Sequence, residues 1–430
     1  MTKIVAVGIG SIVFGVELLR DVFQTPELRG AELWLVDLDP DALRRMGGLA
    51  IALDRASGWD VTVRTTTNRI EALPGADFVV TAIARARDTS WETDHRLALK
   101  HGFPSVLSEN GGPGGLSHTL RSVPPMLAVA KDVERLAPSA LLLNYTNPEN
   151  RICLAIHRYT SVRSIGLCHG VAETVEFIAD LLAMPRDSVD LRAAGTNHFT
   201  WTVSLTERPS GRDLLPDLRA ALGEKPPEKW RLCTLLYDRF GVFPTTGDNH
   251  VGEYIGWAAE YLGTEGYDFA GYARNKRLAN RNLDAYADGT KPVASLLRQP
   301  SREARLGHSV TEIIAALASG RTVRRPSFII PNAGYIENID RDAVVEVPGI
   351  IEDGAFRGLA IGRLSGPVAT MVQREIAIQE LAVEAAVTGS RDVALQALLI
   401  DPCVHSARAA ESFLDDVLRE QREYLPAFYS

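Results

Sequence analysis

A chain of 430 residues is too long for one ordinary core and implies two or three domains. Hydrophobic residues make up 46% and charged residues 23%, which is enough apolar material for a sizeable core and argues against disorder. With 54 acidic against 46 basic residues the net charge is −8, which predicts no nucleic-acid partner and no anionic-membrane surface. The opening MTKIVAVGIG reads as a strand rather than a secretory signal, and no apolar run reaches the roughly 18 residues of a membrane span. Cys153, Cys168, Cys233 and Cys403 are scattered, with no CxxC pair. That is no disulfide framework, and it suits a reducing cytoplasm.

In chain order, Lys3–Val7 is a β-branched run ending in glycines, 14–24 reads as a helix, and Glu32–Val36 as a second strand. Further buried strands are predicted at 78–83 (FVVTAI), 140–143 (ALLL) and 164–167 (SIGL). Continuous apolar strands alternating with helices predict an α/β fold with a Rossmann-type, doubly wound parallel sheet. Near residue 195 the character changes. Segment 199–205 (FTWTVSL) alternates apolar and polar residues, as an antiparallel strand does. Helical stretches follow near 228–240 and 251–261, then strands and turns over 326–351, then mostly helix over 366–424. The division predicted is a nucleotide-binding domain over 1–195 and a separate α+β substrate and oligomerisation domain over 196–430.

The first strand runs into Gly8-Ile9-Gly10-Ser11, with Gly15 opening a helix. Glycine permits the tight turn and lets a pyrophosphate approach the helix N-terminus. Val13 breaks the strict GxGxxG spacing. Asp37, ending the strand ELWLVD, supplies the carboxylate that accepts both ribose hydroxyls and repels a 2′-phosphate. The cofactor predicted is therefore NAD rather than NADP.

Other polar clusters stand where ligands collect in open α/β sheets. Cys168 and His169 follow the strand SIGL, and His198 lies in GTNHFTW at the domain junction. A thiolate and an imidazole can bind a divalent ion, or be a buried thiol and a hydrogen-bonded ring. Ser108-Glu109-Asn110-Gly111-Gly112 is glycine-rich yet polar, and Asn147 lies in a turn after ALLL. Segment 248–254 (DNHVGEY) crowds Asp248, His250, Glu253 and Tyr254 together; in a helix, His250, Glu253 and Tyr254 share one face.

Taken together, GIGS at 8–11, GGPGG at 111–115, TNPEN at 146–150, the tetrad Cys168-His169-Gly170-Val171, NHFTW at 197–201 and PNAGYIEN at 331–338 resemble glycoside hydrolase family 4. The likeness spans roughly residues 3 to 400. It implies hydrolysis without the usual carboxylate pair. NAD oxidises C3 of the sugar, Mn²⁺ polarises the ketone, a base removes the C2 proton, the aglycone leaves, water adds and the hydride returns. On this resemblance Cys168 and His198 bind Mn²⁺, His169 is the acid, and Asp248, His250 and Tyr254 compete as the base. Asn147 contacts sugar hydroxyls and Glu109 orients metal-bound water.

Phospho-sugar members carry CN or CD in the tetrad and an arginine before a KxG. Here the tetrad is CH and that slot falls on Trp91, which argues against phosphorylated substrates. A CHG tetrad is similar to that of members acting on α-glucuronides, with Arg85, Arg87 or Arg274 to meet the carboxylate. An α-glucosidase, α-galactosidase or α-galacturonidase of the same family is the alternative. From other classes come an NAD-dependent hydroxyacid dehydrogenase and an inactive sugar or NAD sensor. The resemblance also implies a homodimer or homotetramer.

Overall fold

The computed structural model describes every residue except Val13, Glu224, Lys225 and Ser430, and all but the side chain of Asp88, so the valine that interrupts the glycine motif lies outside the described residues. Six short strands make the parallel half of the sheet: β1 (Lys3–Val7), β2 (Glu32–Val36), β3 (Thr62–Thr66), β4 (Phe78–Thr81), β5 (Leu141–Asn144) and β6 (Ser164–Gly166). Their order is β3-β2-β1-β4-β5-β6, every neighbour parallel. That is the doubly wound arrangement expected, with the chain reversing direction beside β1.

The sheet is apolar on both sides because helices cover both. Ile4 and Ala6 of β1 enter one core while Val5 and Val7 enter the other. The helix Pro40–Ser57 lays Leu43, Met46, Leu49, Ala50 and Leu53 on the first of these. It starts where the Asp39 carboxylate accepts the Asp41 N–H and stops at Gly58, whose φ of 65° an L side chain resists. Each fully buried leucine contributes about 2 kcal/mol. β3 went unrecognised in the sequence because TVRTT has no apolar run; it is the sheet's edge and largely exposed.

The second half continues the same sheet. β7 (Val189–Thr196) and β8 (Phe199–Glu207) form a hairpin, and β9 (Val323–Pro331) and β10 (Val344–Glu352) form another, with β11 (Ala355–Gly358) on β10. β9 joins β6 at Ile329↔Gly166 and β10 joins β7 at Glu346↔Gly195, so one eleven-stranded sheet runs through both halves. A division at 195/196 falls inside the β7–β8 hairpin. The physical reason is the short β6, whose outer edge would leave unpaired backbone groups unless another strand covered it. Alternation in the sequence gives the strand type and not the sheet it joins. Among the described residues, no helix is long and apolar enough to cross a membrane.

Gly15 is fixed by packing: a methyl there would overlap the Ile9 carbonyl oxygen and the tip of Met46. Gly15→Ala is expected to lower the urea unfolding free energy by about 2–3 kcal/mol. Gly366→Ala, with nothing within 4 Å of the added methyl, is expected to be neutral or slightly stabilising in the same titration.

Candidate active site

The glycine turn forms as the sequence requires. Gly8 has φ 83°, donates its N–H to the Val36 carbonyl at 2.8 Å, and has the Ala82 oxygen 2.5 Å from where a Cβ would sit. Gly10 donates to Asp37 Oδ2 at 2.8 Å, and a Cβ there would come within 2.8 Å of the same oxygen. Ser11 Oγ accepts the Phe14 N–H at 3.2 Å, and Asp37 Oδ1 accepts that of Asp39 at 3.0 Å. Gly8, Gly10, Ser11 and Asp37 are thus brought together at the carboxyl edges of β1 and β2. Each Asp37 oxygen has one amide partner, and the carboxylate's remaining lone pairs are free to accept two hydroxyls. The bare backbone and this carboxylate fit a dinucleotide.

A second cluster forms where four segments meet. His198 sits in the tight turn of the β7–β8 hairpin with φ 66°, and its ring centroid is 4.2 Å from that of His250. Helix Asp248–Val251 continues as a 3-10 turn through Gly252–Tyr254, which brings His250 Nδ1 to 3.8 Å from Glu253 Oε2. The other oxygen of Glu253 collects the N–H groups of Glu109, Asn110 and Gly111 at 2.5, 2.8 and 3.3 Å. Ligand atoms of His198, His250 and Glu253 all lie within 4.8 Å of one another. His198 Nδ1, His250 Nδ1, Glu253 Oε2, both side-chain polar atoms of Asn110 and Asn147 Oδ1 are buried without a hydrogen-bond partner. Such orphans are costly unless something fills the site, and imidazole plus carboxylate is a donor set that fits a divalent cation.

Backbone strain gathers at the same place. Besides His198, Ser108 (φ 62°) and Thr246 (φ 86°) adopt the left-handed region, the last a conformation that β-branched residues avoid. Thr246 Oγ1 donates to the His198 carbonyl at 3.1 Å, and its amide donates to Thr174 Oγ1 at 3.1 Å. The Thr246 methyl also occupies the space a side chain at Gly170 would need. The glycine of the CHG tetrad therefore has a packing reason.

Electrostatics divide the site. Burial, with His250 and His169 nearby, holds the His198 pKa well below the ordinary value, so its ring is neutral and able to ligate. Burial also opposes charge on His250, but Glu253 and Glu109 outweigh it and raise its pKa. Burial works against ionised Glu109 too, yet Arg87 at 2.7 Å, His250 and His118 hold its pKa low. Cys168 is buried, its Sγ 3.4 Å from the Gly170 N–H; burial, then Glu346 and Glu149, push the thiol well up. Only a bound cation would make it a thiolate.

The remaining predicted residues separate. The Asp248 carboxylate accepts the N–H groups of Leu232 at 2.9 Å and Cys233 at 2.8 Å, capping the first turn of helix Arg231–Phe240. Both its oxygens face that helix, so it stands as a structural cap and not as a base. Tyr254 stacks on Phe199 at 5.0 Å, its hydroxyl 3.4 Å from the Asn197 carbonyl, next to His198. Burial, then Glu253 and Glu375, raise its pKa well above the ordinary value. His169 has a 38% exposed side chain near Glu303 and Glu173, and burial of its surroundings pulls its pKa down to about 4. Arg274 is exposed on helix Phe269–Ala287, 3.7 Å from Asp268, outside the cluster because its helical position points to solvent. Arg87, paired with Glu109 and 4.7 Å over the Trp91 ring, takes the place at the cleft. Glu253 as an amide-gathering anchor and the Arg87–Glu109 pair escaped sequence reading, since both join residues distant in the chain.

The descriptions of two family models match the chain: family 4 glycosyl hydrolase over residues 3–184, and family 4 glycosyl hydrolase C-terminal domain over 193–404. An α-glucosidase of Erwinia rhapontici is 32% identical, covering 84% of this chain and 85% of its own length. An α-galactosidase of Rhizobium meliloti (strain 1021) is 30% identical, covering 81% and 73%. An α-galacturonidase of Bacillus subtilis (strain 168) is 27% identical, covering 87% of each. A 6-phospho-α-glucosidase from gut microorganisms, solved with NAD and Mn²⁺, superposes with a TM-score of 0.83 at 20% identity over 98% of both chains, a likeness of fold. The chain belongs to family 4 of the glycosyl hydrolases.

Asp248→Asn is expected to destabilise the protein by about 1 kcal/mol in chemical denaturation while leaving Mn²⁺ affinity, read by electron paramagnetic resonance, unchanged. An equal loss of Mn²⁺ affinity in Asp248→Asn and His198→Ala would put the carboxylate back into the cleft.

Proposed function

We propose that this glycosidase hydrolyses an unphosphorylated α-glycoside, an α-glucuronide first among them, using NAD and a divalent cation, Mn²⁺ before others. The observation that carries the reading is the meeting of His198, His250 and Glu253, whose buried atoms His198 Nδ1, His250 Nδ1 and Glu253 Oε2 lack hydrogen-bond partners, beside a glycine turn shaped for a dinucleotide. Bound NAD and the cation supply oxidation of a ring carbon and an electrophile that acidifies its neighbouring C–H. Gly8, Gly10, Ser11 and Asp37 hold the nucleotide. Cys168 and His198 hold the cation, with Glu253 and His250 facing the same space. Glu109, pinned by Arg87, orients a water, and Asn147 binds sugar hydroxyls.

The proton transfers fall to the chain's own groups. Tyr254 or His250 receives the C2 proton, and His169 gives a proton to the departing glycosidic oxygen. Trp91 supports an unphosphorylated sugar: it is buried, and its indole N–H is committed to the Leu107 carbonyl at 2.9 Å. Arg87 supports a uronate, since only one of its nitrogens engages Glu109. An α-galacturonide or an α-glucoside is the alternative, favoured by the relatives' names and by the packing reason for Gly170. Four buried free thiols suit a reducing cytoplasm, and assembly as a homodimer or homotetramer follows the family resemblance.

In a panel of p-nitrophenyl glycosides, omitting NAD⁺, Mn²⁺ or reductant in turn is expected to abolish release. NADH accumulating from free hydroxyacids instead would contradict the reading. The kcat/KM for the α-glucuronide is expected to exceed that for the α-glucoside by about ten- to hundredfold, the worth of a charge-assisted contact. Arg87→Ala should erase that ratio; a preference for the α-glucoside would reject the uronate.

A further inference from the structure

Among the described residues, no side-chain hydrogen bond within its own loop holds the His169 ring. Its two ring nitrogens face carboxylates on different segments, Nδ1 at 3.5 Å from Glu303 Oε1 and Nε2 at 3.8 Å from Glu173 Oε1. The two are unequal. Glu173 is 35% exposed and paired with Arg302, so its charge is screened and shared. Glu303 is nearer and only 12% exposed, and its other oxygen lies 3.3 Å from Nδ1 of His308, a ring fully buried. Among the described residues the ion-pair partners of Glu303 are these two histidines, which places one carboxylate between two imidazoles.

The fold holds Glu303 firmly. It belongs to the single turn Arg302–Arg305, whose Ser301 Oγ accepts the Ala304 N–H at 2.9 Å. The Arg302 amide donates to Glu17 Oε2 at 2.6 Å, and the His308 amide to the Glu303 carbonyl at 2.7 Å. Arg186 donates to the carbonyls of Arg305, at 2.7 Å, and Leu306, while Arg20 reaches those of Gln299 and Pro300 at 3.1 and 3.2 Å. A stretch of short helical turns is thus tied to the nucleotide-side helix Phe14–Val22 and to the turn before β7.

We propose that Glu303 is the positioning residue for His169: it accepts the Nδ1–H of the ring and so reserves Nε2 for the glycosidic oxygen. The inference rests on the reading of His169 as the acid. In the step it serves, the C2–H electron pair becomes the C1=C2 bond and its proton goes to the base. The C1–O pair leaves with the aglycone oxygen, which takes the proton from Nε2. The ring, which enters the step protonated on both nitrogens, is left neutral with Nδ1–H still on Glu303, and the water that adds at C1 restores the Nε2 proton. A carboxylate behind an imidazole fixes both tautomer and ring direction and stabilises the cation that must form.

The test compares methyl and 2,4-dinitrophenyl glycosides of the best sugar, on enzyme loaded with NAD⁺ and Mn²⁺. The methyl alcohol needs a proton to leave and the dinitrophenolate does not. Glu303→Gln is expected to lower kcat on the methyl glycoside by roughly a hundredfold and to leave KM and the dinitrophenyl rate nearly unchanged. Glu303→Asp should recover part of the loss, and His169→Ala should show the same selectivity. Equal slowing of both substrates by Glu303→Gln overturns the positioning role. If His169→Ala slows both alike, the acid assignment itself falls. Long-range ¹H–¹⁵N spectra of the unmodified protein, read at a pH where the His169 ring is neutral, decide the matter should the variants not fold: the Nδ1–H tautomer of that neutral ring is expected, and the Nε2–H tautomer overturns the proposal.

Discussion

The cleft depends on one contact, the convergence of three amide N–H groups on a single oxygen of Glu253. It ties the glycine-rich segment 108–112 to the segment 248–254 across a long stretch of chain. Close approach is possible because Gly111 has no side chain: a Cβ there would fall 2.6 Å from the Glu253 carbonyl. With Oε1 so occupied, Oε2 is left facing His250, and His250 in turn faces His198. Burial raises the pKa of Glu253, with the amides and His250 pulling the other way. The group is thus a buried carboxylate with one satisfied and one unsatisfied oxygen, an arrangement that a cation would complete.

The sheet explains why these segments meet. β5 and β6 deliver Asn144 through Asn147 and Cys168–His169 to one edge, and the β7–β8 hairpin brings His198 to the same region through its join with β10. Asn197, beside His198, donates to Glu346 at 3.0 Å, and its amide donates to Asn150 at 3.1 Å. A strained turn is therefore over-determined from both halves of the chain, and the binding of a ligand can use a geometry that folding has already fixed.

Much of the parallel half was legible. Strands β1, β2, β4, β5 and β6 are apolar runs, and their spacing with amphipathic helices dictates the layer order; β3 was not, because an exposed edge needs no apolar signature. The place of Asp37 beside the glycine turn was readable because it follows from position after a strand. Asp248 was not: in the string DNHVGEY nothing says which side chain turns outward to cap a helix that begins upstream at Arg231. Arg274 looked available because charge is visible in sequence and direction is not, whereas Arg87 gains its meaning from Glu109, a tertiary partner. The continuity of the sheet was hidden for the same reason, since strand pairing between β6 and β9 is a long-range event.

The most direct measurement is a manganese-edge anomalous difference map from crystals grown with NAD⁺ and Mn²⁺. The account predicts one strong peak at bonding distance from the His198 ring, with Cys168, His250 or Glu253 among its neighbours. A map with no peak in this cleft, or with manganese bound elsewhere while His198 keeps an empty, unliganded ring, would contradict it.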